Sequence, residues 1–364
     1  GTTIQAVSVF IFFLVVFLVL VHKHSKVEQE LNTVRAMLEI QRRYLSRMNG
    51  TWVSFADCGL EFIDGNHPYT YDLDIFGPKS LFQWISVAKT VLGRHHLKTL
   101  LAELAKDLNT IKMRQNAVRE LTTKLEFCQR LECQGLLVDE VSRDTGGLIS
   151  YAEESRPLSK GIHIMRFFPL VTIAAFILTI SGWGLPVEVP IVLLTLQLLL
   201  YFARYQKIAS DLSRVYSFQK SLGAFRNMFI LIESEQFKDD YLSTLKAELY
   251  NQAEPASTCM KRLERISDAI DLRYNPIFYF IFNLFLFWDF HCVVYLQRWK
   301  AQNGKRVRVW FETIGAFESL TSLSVTSHIH PEWSFPELQD HGMKIQARDF
   351  GHPLIQSEKC VRND

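Results

Sequence analysis

Residues 166–204 constrain the fold of this chain more than any other stretch. They contain two apolar runs, 167–183 and 187–203, separated only by the turn-forming Gly184-Leu185-Pro186. Each run is near the lower limit of roughly 17 to 25 residues that an α-helix needs to cross the hydrocarbon core of a bilayer. The stretch therefore predicts a transmembrane helical hairpin.

The charged residues around these runs predict an orientation. Arg166 precedes the first run, Arg204 and Lys207 follow the second, and the turn side carries only Glu188. Because the cytoplasmic flanks of membrane helices are enriched in Lys and Arg, both outer ends of the hairpin are expected in the cytoplasm. The alternative is a hairpin buried in a large soluble helical core, and Glu188 and Gln197 favour that alternative.

The composition permits a large core and gives no global indication of a ligand. The chain has 364 residues with 48% hydrophobic content, and its formal net charge is only +2, so binding to nucleic acid would have to be local. The six cysteines are scattered and are interpreted as reduced cytoplasmic thiols. A start at Gly1 and a stop at Asp364 without a closing helix predict a fragment cut at both ends.

The N-terminal region predicts a second membrane element. Residues 4–21 are an uncharged apolar run, and His22, Lys23, His24 and Lys26 follow it directly. This order indicates a membrane helix whose C-terminal end lies in the cytoplasm, and the chain lacks the small-residue cleavage site of a signal peptide. The expected units are a transmembrane helix over 1–22 and a heptad helix over 23–50.

The heptad helix carries an apolar stripe with alternating spacings of four and three residues. Its members are Val27, Leu31, Val34, Leu38, Gln41, Leu45 and Met48. The stripe could pack on the core of its own chain or pair with a second copy, since three heptads are near the minimum for a coiled coil. Asn49-Gly50 is expected to end the helix, because glycine adopts the left-handed conformation at little cost.

Helical periodicity dominates most of the remaining chain. Residues 52–77 are predicted to be irregular, one helical face follows from Leu81, and Gly146-Gly147 predicts a loop. Ser257 is a plausible N-cap of a later helix. Residues 277–296 are strongly apolar but contain Asn283, Asp289 and His291, so we expect the buried central helix of the cytoplasmic body, ended by Asn303-Gly304. A separate helix over about 307–327 and the start of a strand at 344–347 follow.

One basic tract is a candidate nucleic-acid contact. It comprises Arg298, Lys300, Lys305, Arg306 and Arg308, and Trp299 and Trp310 flank it. Basic and aromatic side chains together can bind a phosphate backbone and stack on bases. Positive side chains at a solvated helix end are the alternative.

The sequence predicts neither a catalytic centre nor a metal site. No hydrolase, zinc-protease or P-loop motif is present in it. His328, His330 and His341 lie in a loop-rich stretch, but no Cys or carboxylate spacing supports zinc binding, and a zinc enzyme is only a distant alternative.

Several ordered tracts resemble MutS-type proteins. Two segments resemble the opening of the helical core, or lever, domain of that family: His67-Pro68-Tyr69-Thr70-Tyr71-Asp72-Leu73-Asp74-Ile75-Phe76-Gly77 with Ser80-Leu81-Phe82-Gln83, and Ile111-Lys112-Met113-Arg114-Gln115-Asn116-Ala117-Val118-Arg119-Glu120-Leu121. Residues 283–289, Arg298-Trp299 and residues 315–323 are similar to its closing segment. Phe350-Gly351-His352-Pro353-Leu354-Ile355 and Val361-Arg362-Asn363-Asp364 resemble the entry to the ATPase domain. The apolar runs fit a membrane-anchored bacterial branch.

The resemblance implies a fold class and a division of the chain. The expected fold is mainly α: a MutS-like helical core or lever domain with an N-terminal membrane helix and an inserted transmembrane hairpin, plus the first strands of a truncated α/β ATPase domain. The implied units are a first core segment over 51–161, the hairpin over 162–205, a second core and lever segment over 206–342 and the start of the ATPase domain over 343–364.

The resemblance also implies a function. The intact protein would be an ATP-driven homodimer that uses ATP and Mg and binds double-stranded DNA, without a mismatch-reading domain here. The edge of its ATP site would be His352, Pro353, Cys360, Val361, Asn363 and Asp364. The P-loop would come after Asp364, so this chain alone is expected not to hydrolyse ATP.

The expected location is the bacterial inner membrane, with the body facing the cytoplasm. A membrane scaffold or sensor that acts by helical self-association through residues 27–48 is the alternative function.

Overall fold

The computed structural model describes residues 2–105, 107–154, 161, 165–251, 254–339, 345–355 and 359–364, and these residues are mainly helical. The α-helices are α1 Thr2–Met48, α2 Leu81–Ile85, α3 Val91–Ala102, α4 Leu108–Thr122, α5 Leu125–Leu137, α6 Gly146–Glu153, α7 Phe168–Ile180, α8 Glu188–Tyr216, α9 Gln219–Ser234, α10 Asp240–Ala247, α11 Ala256–Asp271, α12 Pro276–Leu286 and α13 Trp288–Ile329. Two short antiparallel strands, β1 Tyr250–Asn251 and β2 Glu254–Pro255, join α10 to α11.

The N-terminal apolar run and the heptad stretch form one continuous helix, α1. It ends at Met48 as predicted, and Gly50 follows with a φ of 74°. The stripe does not pack on the core of its own chain, because Val27, Leu31, Val34, Leu38, Leu45 and Met48 are all exposed. Ala36, Ile40 and Tyr44 are buried instead, so the body packs on a different face of the helix.

Helix α13 is the central element of the body and contacts α3, α4, α6 and α11. The predicted end at Asn303-Gly304 is wrong, because α13 runs through both residues to Ile329. A Cβ atom on Gly304 would lie 2.3 Å from the carbonyl oxygen of Ala152 at the end of α6. This glycine therefore permits close helix packing, and no separate helix begins near residue 307.

Residues 277–296 do not form one buried helix as expected. Phe287 adopts a φ of 50° between α12 and α13, and the two helices meet at an angle of 79°. The segment from Phe290 to Leu296 is largely buried, whereas Phe280 and Phe285 of α12 are exposed. The polar residues explain the bend, since the Asn283 side chain accepts a hydrogen bond from the Asp289 backbone N–H at 3.0 Å.

The irregular stretch before α2 is confirmed, and one glutamine organises it. The Gln83 amide donates hydrogen bonds to the carbonyl oxygens of Val53 and Phe55, and its oxygen accepts one from the Lys79 N–H. Gln83 thus supplies hydrogen-bond partners to three backbone groups that have none in a helix or strand. A hydrophobic core surrounds Gln83; it is separate from the larger core of the body and is built mainly from α1, α2 and α3.

Three local predictions are wrong. Gly146 and Gly147 lie in the first turn of α6 rather than in a loop. Ser257 is not the N-cap of α11, since Pro255 occupies that position; Ser257 lies in the first turn and donates its hydroxyl to Glu233. Of the predicted strand at 344–347, Lys344 lies outside the described residues, and residues 345–347 are not in a strand.

Among the described residues, two helices are long and apolar enough to cross a membrane: the part of α1 from Ser8 to Met48, and α8, Glu188–Tyr216. The bent pair of α12 and α13 would make a third if it acts as one span, and α7 is a shorter apolar helix of 13 residues. Helices α7 and α8 pack on each other as the predicted hairpin, with Gly182 and Gly184 at positive φ in the turn.

The hairpin is not buried in a soluble core, because much of its apolar surface is uncovered. Phe202 is 69% exposed, and Ile177, Val192 and Leu199 are exposed as well. Gln197, which favoured a soluble core, is buried and donates its amide to the carbonyl oxygen of Leu284 on α12. Its amide N–H group is thus paired within the group of apolar helices, whereas its side-chain oxygen is buried without a hydrogen-bond partner among the described residues.

Candidate functional sites

The structure brings together the two tracts expected to form the edge of an ATP site. Phe350 and Asn363 form an antiparallel bridge, with N···O distances of 2.8 and 3.1 Å. The Asp349 N–H donates to the side chain of Asp364 at 3.0 Å. His352-Pro353 and Asn363-Asp364 are therefore held near one another by backbone pairing.

The side chains at this bridge are mostly exposed. His352 and Pro353 are exposed, the His352 Nδ1 accepts the Leu354 N–H at 3.3 Å, and Leu354 packs against the core around α2. Val361, one of the residues expected at the edge of the ATP site, is 81% exposed. Cys360 is half-buried and lies close to Gly351. These residues form an open edge and do not enclose a ligand by themselves.

Three of the five residues in the basic tract stabilise the fold. Arg308 makes a two-point ion pair with Glu153, at 2.7 and 2.8 Å. Arg306 donates to the carbonyl oxygens of residues 248 and 250 at 3.0 and 3.1 Å. Lys300 is buried, with its ammonium 4.0 Å from the centre of the Tyr151 ring.

The remaining members of the tract do not form an aromatic stacking surface. Trp299 and Trp310 are both buried, and the Trp299 indole N–H donates to the carbonyl oxygen of Cys259 at 2.7 Å. Arg298 and Lys305 are exposed and share a helix face, since they are seven residues apart. The exposed cations of the tract are thus Arg298 and Lys305, together with Arg308, which is paired with Glu153, and both tryptophans of the tract are buried.

A cavity of about 600 Å³ lies where α1, α3 and α5 meet the irregular segment before α2. Its apolar wall includes Phe55, Phe62 and Leu136. The charged lining is mixed in sign and comprises Glu39, Arg43, Asp57, Glu61, Lys89, Arg94, Glu140 and Arg143. No sequence pattern indicated this cavity, because its residues come from four separate stretches of the chain, 39–43, 55–62, 88–95 and 136–143.

The inner wall of the cavity is built on a buried charge cluster. Glu132 of α5 is 2% exposed, and one of its oxygens lies 3.6 Å from both the Arg43 Nη1 and the Lys89 Nζ. Arg47, one turn after Arg43, donates its Nε to the Trp84 carbonyl at 2.6 Å and its Nη2 to the Ser86 carbonyl at 3.1 Å. Arg43 and Lys89 thus flank one carboxylate, and Arg47 is buried one turn away.

Several polar atoms of this cluster lack a hydrogen-bond partner among the described residues. They are the Arg43 Nε, the Arg47 Nη1 and both carboxylate oxygens of Glu132. The ion-pair distances of 3.6 Å are also longer than a direct N–H···O hydrogen bond. Most buried polar groups in proteins have a hydrogen-bond partner, so the hydrogen bonding of this cluster is incomplete without a further group.

Burial and charge change the pKa values here in opposite directions. Burial, and then the positive charge of Arg43, lowers the pKa of Lys89 to about 8, although Glu132 opposes the change. Burial lowers the pKa of Arg47 to about 10. Glu318 of α13 accepts hydrogen bonds from Thr90 and from the Lys89 N–H, yet burial raises its pKa to about 7.

Within the described residues, no group of three or more His, Cys, Asp and Glu side chains could hold a metal ion. His328 lies 3.3 Å from the Leu121 carbonyl oxygen, and His330 stacks on Trp333 with the ring centres 4.1 Å apart. His341, the third residue of the zinc alternative, lies outside the described residues.

The described geometry defines a mainly helical protein with candidate membrane-spanning helices and a charged cavity in its body. No protein-family model, curated protein or solved structure matches the chain.

Proposed function

We propose that the chain is the core region of a membrane-tethered MutS-like protein. In the intact form this protein would be an ATP-driven dimer that binds double-stranded DNA without a mismatch-reading domain in this region. The resemblance of the ordered tracts supports the family, and the mainly helical fold agrees with a lever domain.

The observation that carries this proposal is the unbroken length of α13. Its 42 residues correspond to about 63 Å at 1.5 Å per residue. The helix starts beside the apolar helix α12 and ends at Ile329, which precedes in the chain the residues of the Phe350–Asn363 bridge. A rigid helix of this kind could transmit a displacement between a nucleotide site after Asp364 and elements at the membrane.

The proposed location is the bacterial inner membrane with the body in the cytoplasm. Lys23 and Lys26 follow the apolar segment of α1, and Arg166, Arg204 and Lys207 flank the hairpin. The positive-inside rule assigns all of these flanks to the cytoplasmic side.

The coding sequence directly after Asp364 tests the ATPase component of the proposal. Translation of about forty further residues should show a Gly-x-x-x-x-Gly-Lys-Ser/Thr motif between a strand and a helix. The longer chain, purified in detergent, should then hydrolyse ATP, whereas residues 1–364 alone should not. A downstream sequence without this motif would contradict the ATPase hypothesis.

A second candidate function is a membrane scaffold or sensor that self-associates through α1. The observation that favours it is the exposed stripe between Val27 and Met48, which the body leaves uncovered. In a parallel pair with this register, Lys23 would face Glu28 of the second copy, and Glu30 would face its Arg35. Both pairs have opposite charges, and two copies inserted in the same direction are necessarily parallel.

A further inference from the structure

Two of the cations that line the 600 Å³ cavity, Arg43 and Lys89, lie 3.6 Å from the single buried carboxylate of Glu132. A third cation, Arg47, is buried one turn further along α1 and donates to the Trp84 and Ser86 carbonyl oxygens. Glu318 adds at most a partial negative charge near pH 7, because its own pKa is about 7. Buried charges of one sign in excess are costly, so the site favours a further anion.

The other acidic residues of the lining do not remove this excess. Asp57 and Glu61 both pair with Arg94, with Asp57 at 3.0 Å. Glu39 and Glu140 are exposed, and Glu140 lies 3.7 Å from Arg143. These carboxylates add little negative charge beside Glu132, because Asp57 and Glu61 are already paired with Arg94 and water screens the exposed ones.

Unused donors lie beside the same charges. The Nε of Arg43 is buried without a hydrogen-bond partner in the described residues, and so is the Nη1 of Arg47, whose side chain is almost completely buried. The ammonium of Lys89 lies 3.6 Å from Glu132, beyond hydrogen-bond distance. Both oxygens of Glu132 likewise have no hydrogen-bond partner among the described residues, so the carboxylate does not satisfy the surrounding cations. An oxygen-bearing anion in the cavity would accept hydrogen bonds from the Lys89 ammonium and pair with the Arg43 guanidinium, which both line it.

We propose that this cavity binds a small organic molecule through a phosphate or carboxylate group placed between Arg43 and Lys89. The cavity is larger than an inorganic oxyanion needs, and the apolar remainder of the ligand would contact Phe55, Phe62 and Leu136. Glu132 keeps the two cations in position from behind.

A membrane lipid does not suit this site. Arg43 lies 21 residues after His22, which corresponds to about 32 Å along α1 from the end of its apolar run. The ligand is therefore a soluble anion. The site uses residues other than those at the Phe350–Asn363 bridge, and the proposal is independent of ATP binding after Asp364.

Thermal unfolding of the full chain in detergent micelles tests the proposal. Sodium phosphate and sodium acetate are titrated separately at pH 7 and constant ionic strength, balanced with sodium chloride. We expect at least one of the two anions to raise the unfolding midpoint in a saturable way, because a ligand that binds only the folded state stabilises it. A stronger response to phosphate indicates a phosphate-bearing ligand, and a stronger response to acetate a carboxylate-bearing one.

Variants show whether the response comes from the cavity. Lys89→Met and Arg43→Met should each weaken the apparent affinity about ten-fold or more, since hydrogen bonds to charged groups contribute on that order. Lys98→Met is the matched control, because it removes a positive charge from α3 at a residue that does not line the cavity. The control should respond like the wild type.

A labelling experiment on the wild-type chain keeps the test valid if the variants fail to fold. Acetic anhydride at pH 8 modifies the neutral form of Lys89, and mass spectrometry compares this rate with that of Lys98. Bound phosphate or acetate should slow labelling of Lys89 several-fold and leave Lys98 unchanged, since an anion favours the charged ammonium. The proposal is overturned if neither anion stabilises the protein beyond chloride and neither protects Lys89.

Discussion

At the scale of single residues, buried Glu318 links the stability of the body to pH. Its carboxylate accepts the Lys89 and Thr90 backbone N–H groups and the Thr90 hydroxyl, which also caps α3. Burial raises its folded-state pKa to about 7 from 4.5, so the folded protein binds more protons than the unfolded chain between these values. The contribution of Glu318 to the free energy of unfolding therefore falls as pH rises from 4.5 through 7.

The substitution Glu318→Gln tests this linkage. At roughly 1.4 kcal/mol per pKa unit, ionising Glu318 in the folded state costs on the order of 3 kcal/mol. Glutamine mimics the neutral acid, so the variant should lose most of the stability change between pH 4.5 and pH 7.5, measured by urea unfolding in detergent. Glu126→Gln, at an exposed position of α5, is the control and should keep the wild-type profile. An unchanged profile for Glu318→Gln would mean that other groups control the pH response.

The charge cluster shows why such residues were not predictable from the sequence. Arg43 and Arg47 are one helical turn apart beside the predicted stripe, where charged residues are usually solvated. Their burial depends on the Trp84 and Ser86 carbonyls, which lie at the end of α2 and in the non-helical segment that follows it. The sequence contains the charges, but only tertiary packing decides that they are buried.

At the scale of elements, apolar patterns were predictable and their interruptions were not. The hairpin of α7 and α8, the end of α1 and the irregular stretch before α2 are confirmed. Asn303-Gly304 has the sequence of a helix end, but Gly304 instead allows α13 to pack closely against α6. The bend at Phe287 could not be predicted, since a left-handed conformation is rare for a bulky side chain and depends here on buried polar contacts.

Gly304→Ala tests the role of the glycine in α13. In an exposed helix this change would stabilise the fold by about 1 kcal/mol through helix propensity. Here the added methyl group would meet the Ala152 carbonyl oxygen, so we expect a loss of about 1 to 3 kcal/mol from overpacking. Denaturant unfolding measures the change. Gln302→Ala, at an exposed position of the same helix, should be nearly neutral or slightly stabilising.

The exposed stripe of α1 makes a second prediction at this scale. The double substitution Leu31→Glu with Leu38→Glu places four carboxylates in a parallel pair of helices, where like charges and lost apolar contact disfavour pairing. We expect the dimer to dissociate at least ten-fold more readily in sedimentation equilibrium with density-matched detergent.

The matched control for this prediction is Gln29→Glu, which lies on the opposite side of the same helix and should leave association unchanged. A wild-type chain that is monomeric at all concentrations would contradict pairing through the stripe. An unaffected dimer in the double variant would place the dimer contact on another surface.

At the scale of the whole molecule, the apolar elements and the soluble-type core are joined by shared helices. Helix α8 contributes Phe202 to the exposed apolar surface and Leu212 and Val215 to the core of the body. Helix α13 likewise runs from the bend beside α12 into that core. Displacement of the apolar helices would therefore move core elements directly, without an intervening flexible linker along α8.

The position of the hairpin turn relative to the membrane is the last prediction. Helix α7 has 13 residues and is about 20 Å long, shorter than the roughly 30 Å hydrocarbon core, whereas the 29 residues of α8 are sufficient. We expect the hairpin to cross fully, with residues 165–167 and the turn at 181–187 completing the shorter arm. Single cysteines can be introduced at Ser181 in the turn, at Ser213 near the end of α8 and at exposed Ser243 on α10.

Labelling of these cysteines with a membrane-impermeant maleimide decides the topology. The half-buried native Cys360 is first replaced by serine, because the other described cysteines are buried. In intact bacterial spheroplasts only the Ser181→Cys variant should react, while Ser213→Cys and Ser243→Cys should react only after lysis. If Ser181→Cys also requires lysis, the hairpin enters and leaves on the same side, and the short arm α7 does not span the bilayer. That outcome would leave α1 and the bent pair of α12 and α13 as the elements that fix the body at the membrane.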